Sequence, residues 1–401
     1  MNGLKKLWIC FVNRLLPVRK KTILFYSFSG QFNDNPKAIF EKLYQREPKL
    51  NIVWVTSSKT IETFPSYVQT VENESKDYYR NLMRAQIVVD NYVGLRLSTE
   101  NGFLERFRRR IFVKKRKSQL CISTWHGTPL KRIGIDALSG SERKACYYTC
   151  SDYIVAGCNL TKNALESAYY HSVPVKMYGT PRNDILLDKT VDVTRVKEKL
   201  GVAKNYKVVL FAPTFRNSVE YSGVKQMSEW DFEKLFSALQ KRFGGEWCFV
   251  FRVHHMVLKA IDVEGIAAKY GGRILNGNLH DDMAEYLLCA DVLISDYSGS
   301  IFDYALTGKP CFLLAPDREH YEKSERGFYL DYDKLPFPTA VNSEGLNDKI
   351  AAFDGQKYQE GVKTFLSEIG NVEDGRASER IVDDVLDFIQ KRKTKKEVIN
   401  T

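Results

Sequence analysis

Trp125-His126-Gly127-Thr128-Pro129-Leu130-Lys131 follows the apolar run Leu120-Cys121-Ile122, which reads as the end of a buried strand. Imidazole changes charge near neutral pH, so a histidine on a strand-to-loop turn is placed for proton transfer. Gly127 permits close approach of the backbone to a ligand, and Pro129 stiffens the exit from the turn. Taken alone, His126 reads as a structural histidine beside a buried tryptophan. Its companions change that reading. Arg216 stands past the end of the strand predicted at 207–212. Arg252 and His254 end the one at 247–253, and Ser298-Gly299-Ser300 follows the one at 293–295. Hydroxyls and a glycine at the start of a helix form a phosphate cradle, although Ser-Gly-Ser taken alone is more often a helix cap. Beside two arginines and a histidine, phosphate or pyrophosphate is the better account. His254 and His255 are adjacent and point to opposite faces of a strand, so one of them at most serves such a site.

These groups need a scaffold, and the pattern supplies one. Apolar strand-like runs at 22–28, 51–56, 87–90, 153–156 and 175–178 alternate with helical stretches, as do those of the second half. That alternation predicts α/β architecture with mostly parallel, doubly wound sheets, in which ligands bind at the C-terminal ends of the strands. A length of 401 residues with 44% hydrophobic residues predicts two cores. The expected division is a basic amphipathic segment at 1–21, a first domain at 22–187, a polar link, a second domain at 205–375, and a closing helix with a polar tail at 376–401. The loop Gly179-Thr180-Pro181-Arg182-Asn183-Asp184 places an arginine among turn-forming residues at the end of the first domain. Asp296 is expected to fix a strand-to-helix loop of the second.

A net charge of +11 favours an anionic partner. Leu4, Leu7, Trp8, Phe11, Val12 and Leu15 recur at helical spacing with basic residues off the stripe. Such a helix either lies in a membrane interface or packs on its own domain. Residues 105–117 carry eight basic side chains interleaved with apolar ones, which favours an anionic lipid surface. Nucleic acid is the rival partner, but no recognised nucleic-acid motif accompanies the charge. No apolar run approaches the roughly 20 residues needed to span a bilayer. The eight scattered cysteines lack a C-x-x-C pair and predict reduced, mostly buried thiols in a cytosolic protein. No metal site is expected, and phosphate-loop, dinucleotide and nucleophile-elbow motifs are absent.

In chain order, Trp125-His126-Gly127-Thr128-Pro129-Leu130-Lys131, Gly179-Thr180-Pro181-Arg182-Asn183-Asp184, Ala212-Pro213-Thr214-Phe215-Arg216, Arg252-x-His254 and Ser295-Asp296-Tyr297-Ser298 with Asp303 match a known family. Over residues 22–375 the chain resembles the CDP-glycerol glycerophosphotransferases of teichoic acid synthesis. It departs from them at Gly299, where a serine is frequent, and at Phe337, near which a glycine is usual. The resemblance implies a GT-B-like architecture, two doubly wound Rossmann-like domains facing across a cleft. The first domain would serve the acceptor and membrane side and the second the CDP-polyol donor. It implies CDP-glycerol or another CDP-polyol as donor, no tightly bound cofactor, and a polyprenyl-pyrophosphate-linked acceptor. A peripheral location on the cytoplasmic face of the membrane, with a wall or capsular polymer as product, completes the expectation. His126 and His254 would be catalytic, with His126 as general base. Arg216, Arg252, Ser298, Gly299 and Ser300 would bind donor phosphates, supported by Trp125, Gly127, Thr128, Arg182 and Asp296. Two other readings are a GT-B glycosyltransferase using a nucleotide sugar and a non-catalytic basic protein that binds membrane or nucleic acid.

Overall fold

The computed structural model describes residues 3–57, 64–91, 115–138, 151–169, 173–214, 230–253, 265, 269–324 and 327–397. The chain forms two compact units, one of residues 1–127, 144–184 and 372–401 and the other of residues 128–143 and 185–371.

The described strands of the first unit are β1 (Arg19–Tyr26), β2 (Asn51–Thr56), β3 (Gln69–Glu72), β4 (Ala85–Asp90), β5 (Leu120–Ser123), β6 (Tyr153–Val155) and β7 (Val175–Lys176). They pair in parallel in the order β3-β2-β1-β4-β5-β6-β7. Ile23, Leu24 and Phe25 lie in register with Ile52, Val53 and Trp54 on one side and with Ile87, Val88 and Val89 on the other. A parallel sheet is covered on both faces, so the buried parts of its central strands are mostly apolar, and alternate residues divide between two cores.

On one face Ile23, Phe25, Trp54, Val89 and Ile122 meet Ile39, Phe40 and Leu43 of helix α2 (Asp34–Arg46). Phe25 stacks on Trp54 at 5.5 Å there. Ile381, Val382, Val385 and Ile389 of the helix Ala377–Glu397 complete that core. The Asp184 carboxylate accepts from the backbone N–H groups of Ala377 and Ser378 and so caps that helix, while burial raises its pKa. The opposite face packs Leu24, Val53, Val55 and Val88 against Tyr78, Leu82 and Met83 of α3 (Lys76–Arg84) and Cys10 of α1 (Gly3–Leu15).

The described strands of the second unit are β8 (Tyr206–Phe211), β9 (Glu246–Phe251), β10 (Ile274–Asn276), β11 (Val292–Ser295), β12 (Cys311–Leu314) and β13 (Thr339–Ala340), parallel in the order β10-β9-β8-β11-β12-β13. The segment read as a polar link contains the helix Val193–Lys199, capped by Asp192 and tied to its own unit by a Lys199–Glu285 ion pair at 2.6 Å. Its amphipathic signal is only two turns long, which is why composition alone reads it as a connector.

The sequence-based reading omits β3, β10 and β13. All three are at sheet edges and two to four residues long, and they bury too little to carry an apolar run. All six described cysteines are buried. Desolvation pushes the Cys248 and Cys289 thiols up to about 12, so they remain neutral packing groups.

Candidate active site

In each sheet the strand order reverses at one place, and ligands of open α/β sheets collect at that switch point. In the first unit it lies between β1 and β4. The turns leaving β1, β4 and β5 converge there on His126. Thr124 continues the β5 line, its N–H donating to the Asp90 carbonyl at 2.7 Å. Trp125 then takes φ +54, a left-handed conformation that costs a bulky non-glycine residue about 1–3 kcal/mol and persists only where the surroundings enforce it. The enforcing group is Asn35, a fully buried residue in the first turn of α2. Its Nδ2 donates to the carbonyls of Thr124 at 3.2 Å and Trp125 at 2.9 Å, and its Oδ1 accepts from the Arg182 N–H at 3.0 Å.

The turn leaves Trp125 buried, at 4% exposure, and His126 exposed, with the two rings stacked 4.0 Å apart. His126 Nδ1 lies 3.0 Å from the backbone carbonyl of Asn91. A carbonyl only accepts, so this contact places a proton on Nδ1 and leaves the lone pair of the neutral ring on Nε2. Asn91 is itself fixed. Its Nδ2 donates to Ser27 Oγ at 3.2 Å and Asp34 Oδ2 at 3.0 Å, and its Oδ1 accepts from the Phe28 N–H at 3.0 Å. Asp34 also pairs with Arg182 Nη1 at 3.1 Å. Gly127 is required by this arrangement. Its φ is +108, and a Cβ there would fall 2.2 Å from Arg182 Nη2. The structure therefore brings Trp125, His126, Gly127 and Arg182 of the expected set together within the first unit. It adds Asp34, Asn35 and Asn91, which sequence reasoning missed. The available signals were the run of polar turn-formers Asn33-Asp34-Asn35 in the turn after β1 and Asp90-Asn91 following the apolar run Ile87-Val88-Val89.

In the second unit the switch point lies between β8 and β11. Thr128, buried, belongs to this unit, and its carbonyl lies so close to Gly299 that a Cβ there would approach it to 2.7 Å. The Leu130 carbonyl accepts from the Tyr329 N–H at 2.9 Å, and Arg132 N–H donates to the Gly327 carbonyl at 3.0 Å. These bonds bind the remainder of the motif to one loop. Asp296, fully buried, accepts from the Thr214 N–H at 2.9 Å and the Tyr297 N–H at 2.5 Å. It thus ties the exit of β8 to the exit of β11. Ser300 Oγ donates to Ser298 Oγ at 2.9 Å, and Ser298 Oγ also accepts from the Ser300 N–H at 3.3 Å at the start of the short helix Ser300–Ala305.

Arg252, expected to meet phosphate, has its described partners in a neighbouring loop. Nη1 donates to the carbonyls of Gly277, at 2.6 Å, and His280, and Nη2 donates to that of Asp281 at 2.7 Å. Its guanidinium lies 5.1 Å from the Tyr286 ring centroid. Burial lowers its pKa, and three carbonyl dipoles compensate the buried charge. A strand-end arginine whose reach ends on backbone carbonyls holds the 277–281 loop. Arg216 and His254 lie outside the described residues. Among the described residues, no group of three or more His, Cys, Asp or Glu side chains is arranged to hold a metal ion.

Two parallel-sheet α/β domains of this order define a GT-B-like architecture. The chain belongs to the CDP-glycerol:poly(glycerophosphate) glycerophosphotransferase family, whose model matches residues 8–387. It is 27% identical over 388 residues to a teichoic acid poly(glycerol phosphate) polymerase of Bacillus spizizenii, covering 93% of each chain. It is 26% identical over 384 residues to a teichoic acid glycerol-phosphate transferase of Staphylococcus aureus, covering 90% of this chain and 92% of that one. A Staphylococcus epidermidis poly(glycerol phosphate) polymerase is 29% identical over 91% of this chain, which spans half of that protein's length. Among solved structures, the wall teichoic acid polymerase TagF superposes with a TM-score of 0.79 at 27% identity, over 97% of this chain and 95% of that one. A histidine variant of TagF soaked with CDPG gives a TM-score of 0.75 at 25% identity, over 97% of this chain and 94% of that one.

Proposed function

We propose that this protein transfers glycerol phosphate from CDP-glycerol to a hydroxyl of a polyprenyl-pyrophosphate-linked acceptor, releasing CMP. The observation that carries the reading is His126, an exposed imidazole with its Nδ1 proton fixed, on an enforced left-handed turn at a sheet switch point of a chain in this family. His126 Nε2 takes the acceptor O–H proton as that oxygen attacks the donor's β-phosphorus. The bond from that phosphorus to the bridging oxygen breaks, and CMP departs with the electron pair. His254 and Arg216 are assigned to the pyrophosphate, and Ser298, Gly299 and Ser300 to the leaving phosphate. Arg252 acts on this side by holding the 277–281 loop.

The deciding experiment incubates the protein with a defined lipid-linked acceptor and, separately, CDP-glycerol, CDP-ribitol and UDP-sugars. CMP release with CDP-glycerol and a product heavier by one or more glycerol phosphate units is expected. UDP release with a sugar added would establish the nucleotide-sugar reading instead.

Action at the cytoplasmic face of a membrane is part of the proposal. No described helix is long and apolar enough to cross one. Yet α1 leaves Trp8 and Leu15 at 65% and 72% exposure, with Phe11, Val12 and Leu16 also exposed. Arg116, near the end of the basic run, donates to the carbonyls of Asn13 and Leu16 at the C-terminus of this helix. The described end of the basic run therefore lies at the C-terminal end of α1; residues 105–114 of the run lie outside the described part. Trp8→Glu with Leu15→Glu is expected to cut sedimentation with anionic liposomes at least tenfold while leaving turnover on a water-soluble acceptor analogue within about twofold, since burying apolar side chains in lipid and placing cations near an anionic surface each contribute on the order of 1 kcal/mol or more. Unchanged sedimentation would sink the membrane assignment.

A further inference from the structure

We infer that Asp34 and Asn35, adjacent residues in the first turn of α2, are positioning residues for the base of the transfer reaction. The inference rests on the reading of His126 given above. The two side chains control different halves of one histidine. Asn35 fixes its backbone approach: one amide group spans the carbonyls of Thr124 and Trp125, the two residues before His126, and with Trp125 at φ +54 it turns the imidazole outward. Asp34 fixes its ring partner: Oδ2 holds Asn91, whose backbone carbonyl receives the His126 Nδ1 proton. Arg182 closes the circuit, donating from its backbone N–H to Asn35 Oδ1 and from its guanidinium to Asp34 Oδ1. In hydrolytic triads a side-chain carboxylate orients the histidine. Here a main-chain carbonyl does so, and the carboxylate stands one step back.

The arrangement can be distinguished from ordinary loop packing by its hydrogen-bond chemistry. Asn35→Asp keeps the size of the side chain and an oxygen for the Arg182 N–H, but sets a carboxylate oxygen against two carbonyls where an N–H₂ donated. Asp34→Asn removes the charge facing Arg182 and weakens the hold on Asn91, and it lies at a partly solvated position, with 19% of its side chain exposed.

The experiment pairs steady-state kinetics on CDP-glycerol and a lipid-linked acceptor with ¹⁵N spectra of histidine-labelled protein. The His126 signals are assigned by their loss in His126→Ala among the six histidines. The parent is expected to show His126 as the single Nδ1–H tautomer. In Asn35→Asp, kcat is expected to fall about 10²-fold, the loss associated with displacing a catalytic group by about 1 Å, with KM for CDP-glycerol within about threefold and a mixed tautomer. Asp34→Asn is expected to show the same pattern at about tenfold, and it carries the test if Asn35→Asp does not fold. Normal kcat with an unchanged tautomer in the folded variants would overturn the inference. So would a loss of thermal stability with the tautomer and the kcat of the folded fraction unchanged, since that is what simple packing predicts. Should His126→Ala retain turnover, the base assignment fails by itself, whereas the tautomer measurement still reports whether α2 positions the ring.

Discussion

His126→Ala is expected to lose transfer by about 10²–10⁴-fold, the range a positioned general base contributes, while keeping its fold and its affinity for CDP-glycerol. The loss corresponds to about 3–5 kcal/mol of transition-state stabilisation at 1.36 kcal/mol per decade. The fold is expected to survive because the ring is exposed; it stacks on Trp125 at 4.0 Å. Such an aromatic contact contributes about 0.5–1.5 kcal/mol beyond area burial. Uncovering Trp125 should red-shift its emission, giving an internal check that the substitution acted where intended. His126→Gln sharpens the result, because its amide can still donate to the Asn91 carbonyl but offers no basic nitrogen. Both variants should be similarly inactive, with donor affinity by calorimetry within about threefold of the parent. Turnover above about a tenth of the parent in either variant would remove His126 from the role of base.

How much of this arrangement is legible in the sequence follows from where the information resides. The central strands are written plainly, because burial on both faces forces runs such as Ile23-Leu24-Phe25 and Leu210-Phe211, and the order of those runs predicts parallel doubly wound sheets. The short edge strands β3, β10 and β13 are not, because hydrogen bonding to one neighbour requires no apolar signature. His126 itself stands out by its setting between a tryptophan and a glycine. Its support does not, since Asn35 and Asn91 lie 91 and 35 residues earlier in the chain and act through an amide and a main-chain carbonyl. Nothing in a single sequence separates a turn-forming asparagine from one that reaches across a switch point. Arg252 shows a different limit. Its residue type and strand-end position suggested an anion, yet the arginine found its acceptors in the carbonyls of the neighbouring loop, which sequence patterns cannot place.

Gly127→Ala is expected to reduce turnover about 10²-fold or more and to cost about 1–3 kcal/mol of stability, through two separable effects. The first is conformational. At φ +108 any residue with a Cβ is strained, whatever space surrounds it. The second is steric. The new methyl would lie 2.2 Å from Arg182 Nη2, and the guanidinium is the softer partner, so it should be displaced from Asp34. Asp34 would then keep its bond to Asn91 without the counter-charge that fixes its own position, and the carbonyl that holds His126 would loosen with it. A double-mutant cycle separates the two effects. In an Arg182→Ala background the steric part is absent, so adding Gly127→Ala should cost only the conformational part, and the activity losses should be strongly less than additive. Full additivity would mean that Arg182 and Gly127 act independently and that the glycine serves the backbone alone. Near-normal turnover of the single Gly127→Ala variant would show that the turn tolerates a displaced arginine, and the coupling of Arg182 to His126 through Asp34 would then have to be abandoned.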